Sequence, residues 1–396
     1  MLALPGRGKL VSVNLGTQHA LEALGAAFVL ALALTPLSAL LARRVGLVDR
    51  PGGESRRLHE NVIPFGGGLA MLVAILVPIY ALHPYLNGRR PAIVLGAVLC
   101  VVLGLIDDRF SLPPIAKLIG EVGIAAIPVW AGTTIDHVTL PLLGPFDLGA
   151  WQYPITILWI VGLMNSLNFI DGMDGLAAGI GAITSITFCL LALRLGKTGA
   201  ATVSAAVAGS CLGFLRHNFH PARVFMGDAG ALLLGYLLAT MSVQGVLKTT
   251  AAVALAGPLL ILLVPLLDTS FVVLHRLKYG KAPWNADANH LHHRFMRVGY
   301  GQKQATLLVY LWCGLLAGCA ITLNFAHRHG NWDAGLTALL VVVSLAAVAV
   351  TLWIVLVLEV IKQRHLQLLG FGRRRETPGS TPAIELWRRR DAEARR

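Results

Sequence analysis

The sequence predicts an all-α polytopic membrane protein with about 10–11 transmembrane helices, on three observations. Of 396 residues, 56% are hydrophobic and only 13% are charged, against roughly 25% charged in a soluble domain. The apolar residues form continuous runs, enough for about eleven spans of about 20 residues each. The basic residues alternate between loops, dense in one set and sparse in the other. A soluble core could not hide this much apolar surface behind so few charges, and disordered or fibrous chains lack this composition. Outer-membrane barrels alternate apolar and polar residues along each strand, which these runs do not.

In chain order the runs cover 20–42, 66–83, 92–107, 114–131, 152–168, 176–193, 200–215, 230–247, 251–275, 304–325 and 336–361. The first is closed by Arg43-Arg44. A cleavable signal peptide carries its charge before the apolar stretch, so none is expected. The third stops at Asp107-Asp108, and the fifth runs into a polar stretch from Asn165. The sixth starts past Gly175, the seventh stops before Arg216, and the eighth follows Asp228. Between 132 and 150, the segment Thr134 to Leu140 alternates and Gly144-Pro145 supplies a turn, which predicts a short hairpin. The tail is rich in Arg, Pro, Gly and Glu, and disorder is expected there. The domains then read as an N-terminal segment 1–19, an integral membrane domain 20–361 and a basic tail 362–396.

Orientation follows from charge. Of the 33 Lys and Arg, fifteen fall in loops 43–65, 108–117, 216–229 and 276–303, ten in the tail, and eight in the opposite set. The rich side is cytoplasmic. The N-terminus and the hairpin are then outside, and the C-terminus is inside. The net charge of +13 belongs to these loops, and no nucleic-acid partner is expected. The five cysteines lie inside apolar runs with neither metal nor disulfide spacing.

The polar residues collect on one side. Asp107-Asp108, the stretch Asn165 to Gly175, Phe225-Met226-Gly227-Asp228 and His290-Leu291-His292-His293-Arg294 lie far apart in sequence. The span count places all four at the cytoplasmic face. A transporter instead keeps its ionisable groups near the midplane, on broken helices. Two adjacent carboxylates repel unless a cation lies near them. Asn165, Asn168, Asp171 and Asp174 recur every three residues, and oxygen donors of this kind suit Mg²⁺ and a nucleotide. Asp228 stands just before a span, where an N-cap and a metal ligand are equally sound readings. The histidines share a loop with Arg276, Lys278 and Lys281. With no cysteine near and a basic setting, anion binding is expected there rather than zinc. Gly196-Lys197-Thr198 echoes a P-loop but lacks the earlier glycine, since Leu191 stands there.

Together these motifs resemble the polyprenyl-phosphate N-acetylhexosamine-1-phosphate transferases (glycosyltransferase family 4) over roughly residues 40–325. Arg57-Leu58-His59 through Pro64 and Gly66 to Gly68 are similar to that family's first cytoplasmic loop. The His-x-His-His form resembles the branch that uses UDP-N-acetylglucosamine. The muramoyl-pentapeptide branch shows three consecutive histidines, and Leu291 interrupts the run here. Ala288 departs from the Arg or Lys common at its place.

The resemblance implies a Mg²⁺-dependent enzyme, with Mn²⁺ as a substitute, in the bacterial cytoplasmic (inner) membrane. It would join N-acetylglucosamine-1-phosphate from the UDP-sugar to undecaprenyl or decaprenyl phosphate and release UMP. That is a first membrane step of envelope glycan assembly. It implies Asp107, Asp108, Asp171 and Asp174 as catalytic residues and Asp228 with Asp171 as metal ligands. Asn168, Phe225, Arg57, His59, Arg276, His290, His292, His293 and Arg294 would bind substrate, with Phe225 against the uracil. The alternatives are the muramoyl-pentapeptide reaction and, in another class, a lipid or ion transporter. The expected partners are the UDP-N-acetylhexosamine, the polyprenyl phosphate and the bilayer, with a homodimer left open.

Overall fold

A computed structural model describes residues 7–50, 62–82, 90–140, 144–246, 299–328, 331–332 and 334–357. The chain forms two units, residues 1–351 and 352–396, and the first holds all the described helices except the end of the last one. Ten of the eleven apolar runs each meet one helix. They are α1 (Arg7–Arg44), α2 (Gly67–Leu82), α3 (Arg90–Phe110), α4 (Pro114–Trp130), α5 (Gln152–Ile170), α6 (Leu176–Arg194), α7 (Thr198–Asn218), α8 (Gly227–Met241), α9 (Gln302–Ala326) and α10 (Ala334–Val357). The run 251–275 and the tail 362–396 lie outside the described residues. Helix α1 starts at Arg7, so the part of the expected 1–19 segment from Arg7 onward is helical.

Seven of these helices are long and apolar enough to cross a membrane, and α2 is a shorter apolar helix. Large side chains stay exposed on their outer faces, including Leu21 at 65%, Leu158 at 71% and Leu345 at 65%. A soluble monomer does not expose apolar surface on this scale, so these faces meet lipid. The protein is an all-α, multi-pass membrane protein.

Small residues let the inner helices approach. Ala20, Ala23, Ala27 and Ala31 form a buried stripe on α1, and Ala201, Ala205 and Ala208 do the same on α7, the helix it packs against. Close backbone approach through small residues is how membrane helices associate, since lipid supplies little hydrophobic drive between them. Helix α8 is buried along nearly its whole length, flanked by α2, α3 and α5. A helix that is apolar all round belongs in such a centre.

Short strands pair at the helix ends. β1 (Val48–Asp49) and β2 (Ile63–Pro64) run antiparallel. β3 (His137–Leu140) and β4 (Gly144–Asp147) form the hairpin expected between 132 and 150. Gly144-Pro145, read from sequence as the turn, opens the returning strand instead, because Leu140 pairs with Gly144. β5 (His327–Arg328) and β6 (Asn331–Trp332) link α9 to α10. The P-loop echo is a helix end: the Gly196 N–H donates to the Leu193 carbonyl and the Lys197 N–H to that of Ala192, closing α6.

Two backbone junctions position the site. Residues leading into α2 and α8 are stitched together: Phe225 N–H donates to Pro64 O, Gly67 N–H to Phe225 O, and Gly68 N–H to Met226 O, at 3.0–3.1 Å. Helix α3 then meets α8 at Gly104, where a Cβ would lie 2.2 Å from Ala229 Cα. Only glycine allows that approach, and it brings the end of α3 onto the start of α8.

Candidate active site

The end of α3, the start of α4, the end of α5 and the start of α8 converge on Lys117. Its ammonium lies 2.8 Å from Asp107 Oδ2 and also pairs with Asp228 Oδ2. All three side chains are part-buried, at 14%, 11% and 29% exposure for Lys117, Asp107 and Asp228. Asn168 completes the cluster. With its amide turned to satisfy both neighbours, its nitrogen donates to Asp228 Oδ1 at 3.0 Å and its oxygen accepts from Lys117 Nζ at 2.7 Å. One cation thus holds two carboxylates from different helices beside a neutral amide. In so little water this pairing offsets the repulsion two close carboxylates would otherwise feel.

Asp107 and Asp108 have separate tasks, although they are adjacent. Asp107 Oδ1 accepts from the Leu112 N–H at 2.8 Å, which fixes the turn from α3 to α4. Asp108 reaches across to α8. Its Oδ1 accepts from the Asp228 N–H at 2.9 Å and its Oδ2 from the Ala229 N–H at 3.4 Å. It serves as an N-cap supplied by another helix, satisfying amides that α8 leaves free at its positive end. Gly227 makes this possible. Its φ is +68°, and a Cβ there would stand 2.4 Å from Asp108 Oδ2, so any side chain would push the cap away. Of the two readings of Asp228, the N-cap role is therefore filled by Asp108, and the Asp228 carboxylate faces Lys117 instead.

The rest of the Asn165–Gly175 stretch divides. Asn165 points deeper, donating to Glu121 Oε2 on α4. Asp171 ends α5, its N–H bonded to Leu167 O at 3.1 Å, and is 8% exposed. Asp174 is tied to the turn after α7: its Oδ2 meets His220 Nδ1 at 2.8 Å and accepts from the Ala222 N–H at 3.1 Å. Gly175 is braced by Asn218 Oδ1, which accepts its N–H at 3.0 Å, and by the Tyr310 hydroxyl of α9, which donates to its carbonyl at 2.5 Å. Phe225 is 4% exposed, with its ring centroid 6.1 Å from that of Phe65.

The structure therefore gathers Asp107, Asn168 and Asp228 around Lys117 and sets Asp108 beneath them. It places Asp174 in a bracing contact with His220. Arg57, His59, Arg276, His290, His292, His293 and Arg294 lie outside the described residues. Among the described residues, no three His, Cys, Asp or Glu side chains gather as a metal site. The five cysteines are free, four of them buried.

Reading the sequence alone leaves Lys117 as one loop charge among fifteen and passes over Glu121 altogether. The signal for both was present. A Lys and a Glu four residues apart at the start of an apolar run lie on one helix face, and an ionisable group inside a membrane helix is costly enough to imply a task. His220 and Asn218, which brace the Asp174–Gly175 turn, carry no such signal.

The family description Glycosyl transferase family 4 matches residues 91–246, the segment that holds Asp107, Lys117, Asn168 and Asp228. The chain is 38% identical over 297 residues to the probable undecaprenyl-phosphate N-acetylglucosaminyl 1-phosphate transferase of Bacillus subtilis, covering 74% of this chain and 82% of that protein. It is 34% identical over 346 residues to the decaprenyl-phosphate N-acetylglucosaminephosphotransferase of Mycobacterium leprae, covering 79% and 86%. It is 28% identical over 305 residues to the undecaprenyl-phosphate alpha-N-acetylglucosaminyl 1-phosphate transferase of Salmonella typhi, covering 75% and 82%. With likeness of this extent spanning both the membrane helices and the ion cluster, the chain belongs to glycosyl transferase family 4.

Proposed function

We propose that the protein transfers N-acetylglucosamine-1-phosphate from UDP-N-acetylglucosamine to a polyprenyl phosphate and releases UMP. The observation that carries this reading is the Asp107–Lys117–Asn168–Asp228 cluster at the common end of four apolar helices. An amphiphilic acceptor has its phosphate at such a depth and its chain in lipid. The names of the relatives support the same donor sugar and the same acceptor class.

Joining two anionic reactants needs in-line placement and charge neutralisation more than covalent help. Lys117 supplies a cation at the point where the two carboxylates meet. Asn168 offers a donor and an acceptor without adding charge. Asp107, anchored by the Leu112 amide and paired with that cation, is the candidate base or orienting group, and it would act on the acceptor phosphate. Asp108 keeps the start of α8 in place so that Asp228 faces the cluster.

A Mg²⁺ ion suits this donor set, because Mg²⁺ is usually held by one or two carboxylates together with substrate phosphates and water. Asp228 and Asp107 would hold it, and Asp171, three residues after Asn168, is a further candidate oxygen donor. When bound, it would neutralise charge on the diphosphate of the donor.

The test offers purified protein both UDP-N-acetylglucosamine and the muramoyl-pentapeptide donor with polyprenyl phosphate. Label from the first donor alone is expected in the lipid phase. Label from the second alone would overturn the sugar assignment, and label from neither would overturn the enzyme reading.

We also propose that the active face is cytoplasmic, on the side where UDP-sugars are made. A cysteine at Ala288 in a cysteine-free background is expected to resist an impermeant thiol reagent in intact cells and to react once the membrane is opened. A cysteine at Gly330 is expected to react in intact cells. The reverse pattern would sink the orientation.

A further inference from the structure

The transfer reaction leaves one ionisable group of the cluster's surroundings unused. Glu121 lies on α4 one turn deeper than Lys117 and is 0% exposed. Its Oε2 accepts from Asn165 Nδ2 on α5. Its Oε1 is buried with no hydrogen-bond partner. Asn165 is itself anchored, donating also to the Val161 carbonyl at 3.0 Å.

The arrangement is a closed frame. Glu121 and Lys117 are four residues apart on α4, and Asn165 and Asn168 are three apart on α5, so each pair shares a helix face. The outer rung of the frame is Lys117 with Asn168, inside the ion cluster. The inner rung is Glu121 with Asn165. Shifting α4 against α5 would break the inner rung and carry Lys117 off Asn168.

The charge state follows from the surroundings. The charged groups around Glu121 are Lys117 on its own helix, Asp107 on α3 and Asp228 on α8; α5 presents the neutral Asn165. Lys117 already serves both aspartates. A third carboxylate charge here would be dehydrated and repelled by two like charges, whereas a neutral carboxylic acid avoids both penalties.

We propose that Glu121 is a positioning residue, carried as the neutral acid, which locks α4 to α5 through Asn165 and so sets Lys117 against Asp107 and Asp228. It touches no reactant, and its charge takes no part. This proposal rests on the transferase reading for its kinetic consequences, but not for the ionisation state.

Two measurements test it. In turnover assays, E121Q is expected to stay within about twofold of the wild type, because the amide keeps an acceptor for Asn165. E121A is expected to lose about tenfold to a hundredfold in kcat, with the UDP-sugar KM changed by less than about threefold. The second measurement is the infrared spectrum of detergent-solubilised wild type at neutral pH. It is expected to carry a protonated-carboxyl C=O stretch that is missing from E121Q, which needs neither activity nor a folded E121A. E121Q falling as far as E121A, or a spectrum unchanged by E121Q, would overturn the neutral acid. E121A with wild-type kcat would overturn the positioning role. A wild type that shows the band but no transfer with either donor would leave the ionisation standing and refute the transferase reading instead.

Discussion

Asp228→Ala is expected to abolish sugar-phosphate transfer, lowering kcat by about 10³-fold or more. Asp228 is the one carboxylate in the cluster that both Lys117 and Asn168 contact. Its removal takes away a candidate Mg²⁺ ligand and leaves Lys117 with Asp107 alone. The helix start should survive, because α8 is capped by Asp108 through the Asp228 and Ala229 backbone amides, and alanine retains those amides. A folded, extractable protein without activity is therefore the expected result. The measurement is radiolabel recovered in the lipid phase, beside the thermal transition of the same preparation in detergent. Near-normal turnover in Mg²⁺ would remove Asp228 from the reaction.

Lys117→Met is expected to cost about 10²- to 10³-fold in kcat/KM. Methionine keeps a flexible apolar stem of similar reach but brings no charge, so the packing of α4 is largely retained. Asp107 and Asp228 would then face one another without the cation that now stands between them. One of them would take up a proton or the pair would separate, and either response spoils the geometry of the cluster. The variant is also expected to be less stable, since breaking a part-buried ion pair strands its partners. Turnover, measured only on the folded fraction, separates the two effects. A Lys117→Met protein with wild-type kcat/KM would show that the lysine merely holds the helices together.

The contrast between Asp107 and Asp108 shows where sequence reading stops. The adjacent pair reads as one acidic unit at the end of a span, and resemblance assigns both to catalysis. In the folded chain they point to different helices, one to Lys117 and the other to the amides of α8. No local pattern could divide them, because the partners of Asp108 lie 120 and 121 residues away. Lys117 is separated from Asp228 by 111 residues, so a charge on an apolar run could mark it as unusual but could not name its partners. Asp174 shows the opposite outcome. The three-residue spacing from Asn165 groups it with Asn168, yet the turn after α5 swings it to His220.

The sequence by itself determined the class of the protein, its ten described helices to within a few residues at most ends, the hairpin, and three of the four stretches that meet in the ion cluster. Those are local properties: a span is an apolar run matched to the bilayer's thickness, and the cost of exposing backbone to lipid leaves a helix as the form it takes. Only the tertiary structure decided which polar side chains meet, that Lys117 is their common cation, and that Glu121 lies beneath it as a strut. Those are long-range properties, set by how closely glycines such as Gly104 and Gly227 let one helix approach another. In a low-dielectric interior each polar group must find a partner wherever packing brings one, and sequence distance carries no information about that.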